Sequence, residues 1–172
     1  LPVEKAIANR RSERKYSDQP LSLAEVGQLL WAAQGVTHGD GLRTAPSAGA
    51  LYPLEVYLVV GRVTDLTAGV YKYNAAKHTL VRMLEGDLRL DLSAAALNQT
   101  CLAEAPAVIV FAGVYERTMK KYGERGRMYV HIEVGHAGQN VYLQAESLGL
   151  GTVAVGAFEP GRVGRLLKLA SS

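Results

Sequence analysis

From Ser22 to Val36 the apolar residues return at Val26, Leu29, Leu30 and Ala33, which is one face of a helix. Ser22 and Glu25 precede that face at capping-box spacing and mark its start. A longer helical pattern covers residues 128–149, with Val134, Ala137, Val141, Ala145 and Leu148 on one side and Gly149 as its stop. Between these two the period changes. "LEVYLVV" at 54–60, "GVYKYN" at 69–74 and "TLVRML" at 79–84 read as strands, the last two joined by a short polar turn. "PAVIVFAGVY" at 106–115 reads as a fully buried strand and "GTVAVGAF" at 151–158 as another. Shorter helices are expected over 3–10 and 87–98, a loop over 37–49, and a last helix opened by Pro160 at its first turn. Helices flanking a sheet make the chain α+β or α/β, and the 72–83 hairpin favours a mixed, mainly antiparallel sheet. No repeat, low-complexity tract or long linker divides residues 1–172, so one domain is expected.

Composition narrows the class. With 48% hydrophobic and 20% charged residues the chain is globular rather than disordered. Its apolar runs fall far short of the roughly 20 residues that span a membrane. Cys101 is the sole cysteine, which excludes an internal disulfide framework and a cysteine-built metal site. The chain starts at Leu1 and shows no signal segment, so it reads as a processed or recombinant, cytoplasmic protein. The net charge is only +3, which argues against a general nucleic-acid binder. Its basic residues are nevertheless clustered, four in "NRRSERK" (9–15) and five in "RTMKKYGERGR" (117–127).

The candidate chemistry lies in short constellations. Arg10, Ser12 and Arg14 offer two guanidinium forks and a hydroxyl, the groups that hold a phosphate best, although a solvated basic helix end is the commoner meaning of such a cluster. Glu133 and His136 stand at i, i+3 on the long helix, with His131 nearby. The zinc-peptidase spacing fails, and no second copy of a di-iron half-motif exists, so no metal is expected and structural hydrogen bonding is the better reading. "GLGTVAVG" (149–156) has neither the spacing nor the strand-to-helix order of a dinucleotide fingerprint. Ser47 lies in no nucleophile elbow.

Taken in order, "RRSERKY" (10–16), "PSAGALYPLEVYLVV" (46–60), "GVYKYNAAKHTLVRMLEGDLR" (69–89), "LNQTCLAEAPAVIVFAGVYER" (97–117) and residues 121–158 resemble the nitroreductase family of flavoproteins. "PSAGALYP" and "EVGHAGQN" are most similar to its SagB-type branch, which includes thiazole/oxazole-forming peptide dehydrogenases. The resemblance implies an α+β fold with a central, mainly antiparallel sheet flanked by helices and completed by dimerisation. It implies noncovalent FMN at the interface of a homodimer.

Arg10, Arg11, Ser12 and Arg14 would then hold the cofactor, Arg10 at its phosphate and Arg14 near the N1/O2 edge, where a cation favours the reduced flavin. Pro46, Ser47, Ala48 and Gly49 match the loop that reaches the flavin of the other subunit. Asn98 and Gln99 match an amide position at the pyrimidine edge, and His136 an approach of the long helix. Ala154, Val155, Gly156 and Ala157 match the strand end beside the ring, with the Gly156 N–H at flavin N5. Tyr52 is read as a proton donor or stacking residue, with plain packing beside Pro53 an equal alternative.

The implied reaction is ping-pong hydride transfer from NAD(P)H through N5 to a small nitro-, quinone- or enone-like acceptor. The alternatives are SagB-type oxidation of azoline rings in a peptide and a flavin-binding module without turnover. Family chains usually continue beyond the final helix into a further strand and tail, whereas this one stops at "LLKLASS". The tail is therefore expected to be absent or cut short.

Overall fold

Among the described residues four strands form one antiparallel sheet in the order β3-β2-β1-β4, where β1 is Leu54–Val60, β2 Gly69–Asn74, β3 Thr79–Glu85 and β4 Ala107–Gly113. The computed structural model describes residues 1–169; the closing residues 170–172 of the expected short tail lie outside it. The helices are α1 (Val3–Asn9), α2 (Leu23–Gln34), α3 (Arg89–Ala95), α4 (Thr100–Glu104), α5 (Tyr115–Tyr122), α6 (Arg125–Ser147) and α7 (Pro160–Leu166). The fold is α+β, one of the two classes the pattern allows and the one the resemblance implies.

Alternation along β1 sends its side chains to two cores. Val56, Leu58 and Val60 meet Val26 and Leu30 of α2 on one face. Val59 and Val70 face Leu92, Leu102, Val163 and Leu167 on the other, under α3, α4 and α7. Each fully buried side chain of this size contributes about 2 kcal/mol of transfer free energy, so the sheet is the main fixed body of the domain. Helix α2 carries its predicted cap: the Glu25 N–H donates to Ser22 Oγ at 3.2 Å and the Ser22 N–H to Glu25 Oε2 at 2.7 Å. Helix α6 packs Val130, Ala137, Val141 and Ala145 inward and ends where Gly149 turns left-handed (φ 71°), the Leu150 N–H returning to the Ala145 carbonyl at 2.8 Å.

Two strand expectations change. Residues 106–115 do contain a strand, but every residue of β4 is half-buried rather than fully buried. The apolar run reflects two packed faces, Val108 and Val110 on one side and Ile109 and Phe111 on the other, while among the described residues only β1 pairs with it. Residues 151–158 form no strand at all. They run extended and without a ladder, their valines 153 and 155 packed on the α3–α7 core. The helix expected over 87–98 is shorter, because Leu97 and Asn98 take left-handed φ of 57° and 60°. Helices α4 and α5 were not anticipated. Between β4, residues 13–21, residues 149–158 and α6 lies an open, mainly apolar groove of about 1820 Å³.

Candidate functional site

The predicted residues fall into two groups, placed along α6. The first begins where α1 ends. The backbone leaves the helix at Arg10 and runs extended, and the Glu13 N–H donates to the Thr152 carbonyl at 2.9 Å. This lays the basic segment beside residues 152–157. One side chain of α6 joins them: the Tyr142 hydroxyl lies 3.0 Å from Ser12 Oγ and accepts the Ala154 N–H at 2.8 Å. The Arg10 guanidinium sits over the Tyr142 ring, 5.1 Å from its centroid. Arg11 instead curls back onto the Ala8, Asn9 and Arg10 carbonyls, closing the end of α1. Among the described residues none of Arg10, Arg11 and Arg14 pairs with a carboxylate, so their charge is available to a ligand. Tyr16 closes the segment by donating to the Glu13 carbonyl at 2.9 Å, and burial, with lesser contributions from neighbours, pushes its hydroxyl up to about 12.

Residues 154–157 are fixed from the other side by Gln99, whose amide Nε2 donates to the Ala157 carbonyl at 2.9 Å. Gln99 is itself set by the left-handed turn at Leu97 and Asn98, with the Asn98 N–H on the Ser93 carbonyl and the Ser93 hydroxyl on the Gln99 carbonyl. Gly156 is exposed, and a Cβ there would meet nothing within 4 Å among the described residues. Among the described residues the Val155, Gly156 and Ala157 N–H groups donate to no backbone acceptor. The structure thus gathers Arg10, Ser12, Gln99 and residues 154–157 in one neighbourhood, with open space and free donors.

The second group is the small-residue loop. Glu133, on the buried side of α6 and only 3% exposed, accepts both the Ser47 hydroxyl and the Ala48 N–H on Oε1, each at 3.0 Å. Ser47 Oγ in turn accepts the Tyr52 N–H at 2.9 Å. The backbone between is left-handed at Gly49 (φ 64°), Ala50 (φ 53°) and Tyr52 (φ 45°). At Gly49 a Cβ would stand 2.8 Å from the Tyr122 hydroxyl and 3.0 Å from Lys121 Nζ, so glycine serves close approach as well as φ. Tyr52 is clamped: the Arg43 guanidinium lies 4.6 Å from its ring centroid, its hydroxyl accepts the Arg43 N–H at 3.3 Å, and Arg117 donates to its carbonyl while paired with Glu55. Burial raises the Glu133 carboxyl above the usual glutamate range, opposed by its bonds to Ala48 and Ser47 and by the charges of His136 and Arg43. His136 is exposed one turn along, and Pro46 is exposed at the start of the loop.

Glu133 and Tyr142 are nine residues apart on α6, about 13 Å of helix rise. The loop and the basic segment therefore occupy separate stretches of the protomer. Sequence reasoning set metal aside for Glu133 in favour of structural hydrogen bonding, which its bonds to Ser47 and Ala48 bear out, but it did not name those partners, and it missed Tyr142 and Arg43. A polar residue on the apolar face of α6 was the available signal for Glu133. For Tyr142 there was none beyond its place beside Val141.

Comparison with known proteins identifies the family. The nitroreductase family model matches residues 7–171. The chain is 49% identical over 169 residues to MJ1384 of Methanocaldococcus jannaschii, provisionally named a nitroreductase, a match spanning 98% of this chain and 85% of that protein. Among solved structures, a provisionally named nitroreductase of Ralstonia eutropha superposes with a TM-score of 0.87 at 28% identity, covering 99% of this chain and 77% of that one. The Escherichia coli microcin synthetase McbBCD complex, solved with truncated pro-MccB17, matches with a TM-score of 0.76 at 25% identity over 96% of this chain and 66% of that one. Fold, ordered motifs and family match coincide over nearly the whole length: the chain belongs to the nitroreductase family.

Proposed function

We propose that the protein is an FMN-dependent NAD(P)H oxidoreductase. The observation that carries this reading is the convergence of Arg10, Ser12 and the open backbone of residues 154–157 around Tyr142, in a chain of this family. The donor set fits FMN: unpaired guanidinium groups for a phosphate, free N–H groups for a ring edge, and a glycine whose side has room for a planar group. When bound, FMN supplies two-electron chemistry, taking hydride from NAD(P)H and passing it to a nitro-, quinone- or enone-like acceptor.

The protein's part is binding and electrostatics. Arg10 holds the phosphate and uses the Tyr142 ring as its platform. Arg14, free of any carboxylate among the described residues, places positive charge where the reduced cofactor becomes negative. Gln99 keeps Oε1 for a ring N–H, because its Nε2 is committed to Ala157. The Gly156 N–H serves N5.

Ser47, Ala48 and Gly49 form a rigid ledge that reaches the cofactor of a second subunit. The separation of the two groups along α6 supports such sharing, as do the exposed apolar side chains of Val3 and Ile7 on α1 and Met128 and Ile132 on α6. Reliance on NAD(P)H makes the cytoplasm the place of action in this reading. No described helix is long and apolar enough to cross a membrane.

An absorbance spectrum of the purified protein, with added FMN and then NADH or NADPH, tests the proposal. Flavin bands that bleach with either nucleotide are expected, and failure to take up FMN would end the reading. The similarity to the McbBCD structure favours one second reading, oxidation of azoline rings in a peptide. Turnover of an azoline peptide with little NAD(P)H oxidation would select it.

A further inference from the structure

Tyr142 touches both backbone segments of the proposed cofactor site, and the direction of its hydrogen bonds has a chemical consequence. Among the described residues its hydroxyl has two partners, the Ala154 N–H and Ser12 Oγ. An amide can only donate, so at 2.8 Å the phenolic oxygen is the acceptor from Ala154. Its own proton then has one acceptor at hand, Ser12 Oγ at 3.0 Å. If that bond runs from Tyr142 to Ser12, the Ser12 hydroxyl keeps its proton free to donate to a ligand, while the Arg10 guanidinium lies over the same Tyr142 ring. In the reverse polarity Ser12 would spend its proton on Tyr142 and could offer a ligand only lone pairs, which an anionic acceptor cannot use.

We propose that Tyr142 is a positioning residue that relays a directed chain, Ala154 N–H to Tyr142 O–H to Ser12 O–H, so that Ser12 meets the cofactor as a polarised donor. Each link strengthens the next, because a hydroxyl that accepts a bond becomes a better donor. The same phenol carries Arg10 on its ring, so one side chain aligns a hydroxyl donor, a guanidinium and the start of the 154–157 segment.

The proposal rests on the flavin reading given above, and its test separates the two. Tyr142→Phe keeps the ring under Arg10 and removes only the hydroxyl. In the apo protein, amide exchange at Ala154 should quicken about tenfold, and FMN dissociation constants should rise about tenfold with the melting temperature nearly unchanged. Ser12→Ala should weaken FMN by a similar factor while leaving Ala154 protected, and this variant stands in if the Phe variant does not fold. The double variant should bind no worse than either single one, since both cut the same chain. A wild-type protein that binds no FMN overturns the flavin reading and this role with it. FMN bound by the wild type and equally well by Tyr142→Phe or Ser12→Ala overturns the relay alone, and so do fully additive losses in the double variant.

Discussion

The loop at 46–52 and the segment at 152–157 are both short, both rich in small residues and both read as cofactor contacts, yet they are held in opposite ways. The loop is over-determined. A buried carboxylate takes two of its donors, an arginine lies on its tyrosine, and three residues hold left-handed backbone that the surroundings must enforce. The segment is held at three points, Thr152, Ala154 and Ala157, and otherwise presents exposed backbone. In the proposed reading the loop reaches into another subunit, and such a surface gains from being rigid before it arrives. A surface that must wrap a ring gains from free N–H groups. The two halves should therefore fail differently when altered.

The largest effect is expected from Glu133→Ala. It strands the Ser47 hydroxyl and the Ala48 N–H in a partly buried place, which costs about 2–3 kcal/mol and should lower the melting temperature by roughly 5–10 °C in calorimetry. Arg10→Ala comes next and belongs to the other half. FMN affinity measured by fluorescence quenching should fall about 10- to 100-fold with little change in melting temperature, because a charge-assisted bond is lost from an open site. Gln99→Ala should weaken FMN by about fivefold, again without a stability change, since an exposed side chain loses both its tether to Ala157 and the Oε1 proposed to accept a ring N–H. If Arg10→Ala and Gln99→Ala destabilise the fold as much as Glu133→Ala does, the contrast between the halves is wrong.

The smallest effect is a pH dependence. Because the folded Glu133 carboxyl titrates above its ordinary value of 4.5, the native state holds that proton more tightly than the unfolded chain. Its contribution to stability is then full below that value and lost as pH rises through the raised folded one. Denaturant titrations across that range should show the decline in the wild type and a flatter profile in Glu133→Gln.

Much of this was legible from the chain. The helical faces of α2 and α6, the capping box at Ser22, the hairpin of β2 and β3 and the ordered motifs each depend on local pattern, and local pattern is what a sequence displays. What was not legible depends on partners distant in sequence. Tyr142 acquires its role from Ser12, 130 residues away, and Glu133 from Ser47, 86 residues away. Residues 151–158 have the composition of a strand, but a strand needs a neighbour to pair with, and here hydrogen bonds from single side chains and backbone groups take the place of a ladder. The apolar run of β4 announced burial on both faces and could not announce an open edge.

That edge governs how the protein must be made. The sheet's other margin, β3, is guarded by Arg82, Glu85 and an irregular register beside Val70 and Tyr71. β4, with the sequence "AVIVFAG", carries neither charge nor proline to turn away a stray strand. Newly synthesised chains that meet along this margin can add to one another strand by strand. Yield on refolding is therefore expected to fall as protein concentration rises, and a single lysine on the outer margin of β4 should recover soluble material.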